Sequence, residues 1–116
     1  MAITDLAYLY QYSSNDKDFV MEMVELFLSS TPSFLEEMKS SFENKDYSMV
    51  ARISHKMKPS MTFMGIKNGK EITIALEDYA NEGTDIPKIE EQITELDQLC
   101  QLAFSELKVA LNELKS

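Results

Sequence analysis

The sequence predicts an all-α protein: an up-down antiparallel four-helix bundle with an additional short N-terminal helix. Three observations carry this. Apolar residues recur at spacings of three and four almost throughout the chain. No run of alternating Val, Ile and Thr offers a strand, and only three glycines and three prolines are present to turn one. The expected connections of about two to five residues make successive long helices antiparallel.

A first helix is expected from Thr4, a candidate N-cap, to about Tyr12, ending before the cluster Ser13-Ser14-Asn15-Asp16. Phe19, Val20, Met23, Val24, Phe27 and Leu28 then line one face of a second helix. Pro32 interrupts it, with Thr31 able to cap a new turn or Ser33 and Glu36 able to form a capping box, so a kink and a full break both fit. The pattern resumes at Phe34, Leu35, Met38 and Phe42 and reaches about Asn44. A third helix covers roughly Tyr47 to Met64 and stops at Gly65. A fourth, carrying Ile72, Ala75, Leu76 and Tyr79, runs to about Glu82 before Gly83. Ile86-Pro87 opens the last, where Ile89, Ile93, Leu96, Cys100, Ala103, Leu107, Ala110 and Leu114 alternate by fours and threes in a bundle-like stripe. The tyrosines Tyr8, Tyr10 and Tyr12 are expected to cap one end of the bundle.

At 116 residues the chain fits one compact domain, residues 1–116, with no linker or internal repeat. Met1 and the missing linker favour a free-standing protein, and a single bundle core with net charge −9 is expected to fold as a monomer. Twenty acidic residues against eleven basic ones repel nucleic acid and anionic membrane surfaces. No apolar run approaches the roughly 18 residues that span a bilayer, and no secretory signal opens the chain. The single Cys100 has no partner for an internal disulfide, which fits a reduced cytoplasmic setting.

Charge is distributed unevenly. Residues 47–70 hold no Asp or Glu but five basic residues, Arg52, Lys56, Lys58, Lys67 and Lys70, with the only histidine, His55; the rest of the chain stands at −14. At about 100° per residue, Val50, Ile53, Met57, Met61 and Met64 share the core-facing sector of the third helix, and His55 lies roughly 160° from its centre. Ala51, Lys58, Pro59 and Thr62 surround it on the outer face. The projection thus leaves either an idle surface histidine or a working one.

Several features favour the working residue. Lys58, one turn along, can neutralise a charged group carried by the imidazole. Pro59 costs a helix interior about 3 kcal/mol by removing the bond to the carbonyl of His55, a defect more easily accepted where close approach is useful. Short side chains around the ring admit another macromolecule. A basic island on so acidic a chain suits an acidic partner, with Ala51, Arg52, Lys56, Pro59, Thr62 and Phe63 as docking residues.

The run ARISHKMKPSMTFMGI, residues 51–66, resembles the histidine-containing phosphotransfer (HPt) domain of two-component phosphorelays. The shared pattern is a helix with His55, a lysine three positions on (Lys58), a small residue next and a glycine ten positions after the histidine (Gly65). Pro59 stands where the family usually has glycine, although it too presents no long side chain. The resemblance implies that His55 accepts a phosphoryl group from an aspartyl phosphate on a response-regulator receiver domain and passes it to an aspartate on another. It also implies that partner receiver domains, with a hybrid histidine kinase as a possible further partner, supply the Mg²⁺ and acidic pocket, so that this chain binds no cofactor of its own.

The residues agree with a carrier. Glycines at 65, 69 and 83 only give neither a P-loop nor a kinase glycine-rich loop, which argues against autonomous ATP-dependent kinase activity. One histidine and one cysteine 45 positions apart make a poor zinc site. The main alternative is a non-catalytic helical adaptor that binds an acidic partner protein. A carboxylate-bridged metal bundle is more remote, because its Glu-x-x-His pairs are missing and residue 52 is Arg.

Overall fold

The computed structural model describes residues 2–116, and every regular element among them is an α-helix: α1 (Ala7–Tyr12), α2 (Lys17–Glu43), α3 (Tyr47–Phe63), α4 (Gly69–Glu82) and α5 (Ile86–Lys115). Helices α2 to α5 form the up-down ring expected from the sequence. Each packs on its sequence neighbour, α5 closes back on α2, and α1 lies against α2 and α3. The long pair, α2 and α5, sets the 47 Å length of the molecule.

Burial follows the apolar stripes. Val20, Val24, Phe27, Leu35 and Met38 from α2 meet Val50, Ile53, Met57 and Met61 from α3, Leu76 and Ala80 from α4, and Ile89 to Leu107 of the α5 stripe. Only Ala110 and Leu114, at the far end of that stripe, are less than fully buried. Each fully buried aliphatic chain contributes about 1.5–3 kcal/mol. That magnitude decides the fate of Pro32: α2 passes through it unbroken, because the burial of Phe27, Thr31, Leu35 and Met38 on either side outweighs about 3 kcal/mol of helix defect. Neither Thr31 nor Ser33 caps a new helix; Thr31 is buried within the continuous one. Helix α3 likewise continues through the exposed Pro59.

The first helix departs from expectation. Thr4 is not its N-cap: α1 begins at Ala7, and the carboxylate of Asp5 accepts from the Ala7 amide at 2.9 Å. The amide and hydroxyl of Thr4 are drawn away to Glu106 on α5, at 2.9 and 2.6 Å, leaving nothing to start a helix at residue 4. The tyrosines divide as well. Tyr10 packs on the core, whereas Tyr8 and Tyr12 stay 48% and 63% exposed.

Residues 3–5 run beside the α3–α4 connection. Asp5 donates its amide to the Met64 carbonyl at 3.1 Å, and Lys67 donates to the Ile3 carbonyl at 2.8 Å. Gly65 makes this approach possible. It adopts φ +59°, and a Cβ there would lie 2.1 Å from the carbonyl oxygen of Asp5.

Candidate functional site

Helix α3 starts at Asp46, whose side chain accepts from the Met49 amide at 3.1 Å, and it presents the basic stretch along one flank of the bundle. His55 emerges as the projection requires, with a side chain 66% exposed. The imidazole Nδ1 lies 3.1 Å from Oε1 of Glu77 on α4, a carboxylate that is itself only 26% exposed. A carboxylate accepts and does not donate, so the Nδ1–H donates, and a neutral ring then carries its lone pair on Nε2, the nitrogen turned away from Glu77.

The register that brings Glu77 to His55 is set one layer deeper. Ser54, fully buried beside His55, donates its hydroxyl to the Thr73 carbonyl across the α3–α4 interface at 2.8 Å. The Thr73 hydroxyl in turn donates to the Lys70 carbonyl at 2.8 Å. Thr73 and Glu77 are one turn apart on the same face of α4, so fixing the first aims the second.

Around the ring is a groove of about 350 Å³ lined by Ser48, Ala51, Arg52, His55, Lys56, Glu77 and Asn81. Arg52 and Lys56 are exposed at its rim, and Lys58 is half-buried one turn beyond the histidine. None of the three is in an ion pair or side-chain hydrogen bond among the described residues. Pro59 and Thr62 are exposed further along, and Phe63 is half-buried. Ala51 differs from expectation. At 4% exposure it forms the floor of the groove, because α4 packs close against α3 there, and it offers no free surface for docking.

Phe63 belongs to an aromatic tier at the C-terminal end of α3. Its ring centroid lies 5.6 Å from Tyr8 and 5.3 Å from Tyr12, and Tyr12 lies 6.2 Å from Phe19. Beside the tier, between α2 and α3, a mainly apolar groove of about 350 Å³ is lined by Met23, Leu26, Phe27, Phe34, Phe63 and Met64 among others. No cluster of three or more His, Cys, Asp or Glu side chains arranged to hold a metal occurs among the described residues. None of the described helices is long and apolar enough to cross a membrane.

Sequence reasoning reached His55 and the cations but missed Glu77, whose only sequence signal is a polar residue in helical register with Thr73 on the next helix. The arrangement brings together an exposed histidine whose Nδ1 meets a carboxylate, cations around it and a bundle behind it. The Hpt domain family model matches residues 22–114, and the chain belongs to that family. Hpt domains carry phosphoryl groups on histidine between receiver domains and are not autonomous kinases. The chain is 28% identical over 96 residues to the phosphorelay intermediate protein rdeA of Dictyostelium discoideum, a match that spans 83% of this chain and 37% of that relative. It therefore spans well under half the length of that curated protein. Its fold is similar to the crystal structure of the HPT domain from a sensor hybrid histidine kinase of Shewanella, with a TM-score of 0.80, 19% identity, and 97% and 96% of the two chains covered.

Proposed function

We propose that His55 is the phosphoryl acceptor and donor of this chain, and that the chain works as a single cytoplasmic phosphotransfer unit between response-regulator receiver domains. The observation that carries this is the 3.1 Å contact of Nδ1 with Glu77, which in the neutral ring puts the free lone pair on Nε2, away from the carboxylate. Nε2 attacks the phosphorus of the partner's aspartyl phosphate: the Nε2–P bond forms, the P–O bond to the aspartate breaks, and the carboxylate leaves with the electron pair. The ring becomes cationic as it does so, and Glu77 offsets that charge while retaining the proton on Nδ1. Lys58, one turn away, offsets the arriving phosphoryl charge. Transfer to a second aspartate is the same step reversed.

Arg52 and Lys56 at the groove rim, with Pro59, Thr62 and the Phe63 tier along α3, form the face on which the receiver domain docks. The partner supplies in-line geometry and metal; this chain supplies a fixed nucleophile. A hybrid kinase that carries its own receiver domain presents the same docking chemistry.

The test is incubation of the protein with phosphorylated receiver domains and Mg²⁺, followed by measurement of acid-labile, alkali-stable phosphate on wild type and on His55→Gln. The wild type is expected to label and the variant to stay blank with its helical content unchanged. Equal labelling of the two would remove His55 from the role. Full binding and cellular function without label would favour the adaptor.

A further inference from the structure

Residues 3 and 4 owe their side-chain fastening to one carboxylate more than a hundred positions away. Glu106 on α5 takes the Ile3 amide on its two oxygens at 3.0 and 2.9 Å, the Thr4 amide at 2.9 Å and the Thr4 hydroxyl at 2.6 Å. Immediately after this clamp come Asp5, bonded to Met64, and α1, whose Leu9 is fully buried while Tyr8 and Tyr12 rest exposed on Phe63. The clamp therefore sets the position of an aromatic surface that hydrophobic burial alone leaves half free.

That surface lies within reach of a partner centred on His55. Phe63 is eight residues along α3, about 12 Å in rise and about 80° in rotation from His55. A standard interface of about 800 Å² per partner has a radius of about 16 Å, enough to include Phe63 and the tyrosines stacked on it. Lys67 donates its own amide to Ile3 in the segment that leads into the tier, and Arg52 and Lys56 stand exposed on the histidine side, so the occupant that fits is a domain with an apolar contact zone edged by acidic residues.

We propose that Glu106 is a positioning residue for phosphotransfer: by clamping residues 3 and 4 it holds the Tyr8–Tyr12–Phe63 tier in place for a receiver domain docked over His55. This rests on the phosphotransfer reading. Loss of the clamp leaves the Asp5–Met64 and Lys67–Ile3 backbone bonds and the packing of Ile3, Leu6, Leu9 and Tyr10 as anchors, lowers the fraction of molecules with the tier in place, and apparent affinity falls in proportion to that fraction.

The experiment compares wild type, Glu106→Ala, Thr4→Val and Tyr12→Ala by three readouts. These are amide exchange at Ile3, Thr4 and Asp5, the KM and kcat of phosphoryl transfer from a receiver domain, and phosphorylation by phosphoramidate. The last is a small donor that needs no docking; its P–N bond breaks with loss of ammonia as the Nε2–P bond forms. Glu106→Ala is expected to lose amide protection and raise KM about tenfold, with kcat and the phosphoramidate rate unchanged. Thr4→Val, which removes only the hydroxyl bond, shifts KM the same way by less. Tyr12→Ala raises KM with amide protection intact. An unchanged KM in Glu106→Ala or in Tyr12→Ala, or a slowed phosphoramidate reaction in Glu106→Ala, overturns the proposal. A wild type that takes no phosphate from the receiver domain while the amides at Ile3 and Thr4 stay protected instead defeats the phosphotransfer reading itself.

Discussion

At His55 the chemistry depends on which nitrogen keeps the proton. The sequence placed this residue outward and gave it cationic neighbours, and both follow from the helical repeat of α3 alone. Glu77 was not legible in the same way. It stands 22 positions on, in a stretch where acidic residues are common, and the packing of α4 on α3, pinned by the Ser54–Thr73 bond, brings it beside the ring. The Glu77→Ala variant is expected to let the imidazole exchange tautomers and to slow receiver-dependent phosphorylation of His55 about tenfold, within the range for loss of a carboxylate that orients a histidine. Nitrogen chemical shifts of His55 report the tautomer independently of the rate; a ring still protonated on Nδ1 alone in this variant would show that Glu77 does not hold it. Ala51 shows the opposite failure. An outward position on a helical wheel is not exposure once a second helix packs over it.

Among the elements, helix existence was readable and helix starts were not. Asp16, Asp46 and Asp85 each accept from the amide three residues on, at 3.1–3.2 Å, yet polar residues are so frequent before each helix that no single one stood out. Thr4 did stand out and was engaged elsewhere, by a residue no local pattern connects to it. Pro32 was ambiguous because a local propensity of about 3 kcal/mol competes with burial that only the assembled bundle reveals. The N-terminal segment carries its own pH signature. Partial burial opposes ionisation of Glu106, but the Thr4 hydroxyl and the Ile3 and Thr4 amides outweigh it and hold the carboxyl below its ordinary value of 4.5. A carboxylate lowered in the folded state stabilises it above that ordinary value, and the contribution is lost as pH falls through the lowered one. The NMR shifts of the Ile3 and Thr4 amides are therefore expected to hold steady from neutral pH down to 4.5 and to move together below it. A common midpoint above 4.5 would contradict the clamp.

For the whole molecule, the bundle is a support whose buried layer, through the Ser54–Thr73 bond, fixes where the surface groups of α3 and α4 meet. The four-helix ring and the family were both legible, because stripe periodicity and the His55, Lys58, Gly65 spacing are properties of the chain itself. What needed three dimensions was every contact between distant segments: Glu77 with His55, Glu106 with residues 3 and 4, and the backbone of Asp5 over Gly65. Buried Cys100 fits the same division. Its thiol is pushed up to about 12, first by desolvation and then by Asp97, which makes it a packing residue rather than a reactive thiol. The central claim is that the chain holds one ring nitrogen and offers the other. It is tested most directly by long-range ¹H–¹⁵N NMR of the protein phosphorylated by a receiver domain. The account predicts a single phosphohistidine at His55 with phosphorus bonded to Nε2 and a proton retained on Nδ1; phosphorus on Nδ1 would contradict it.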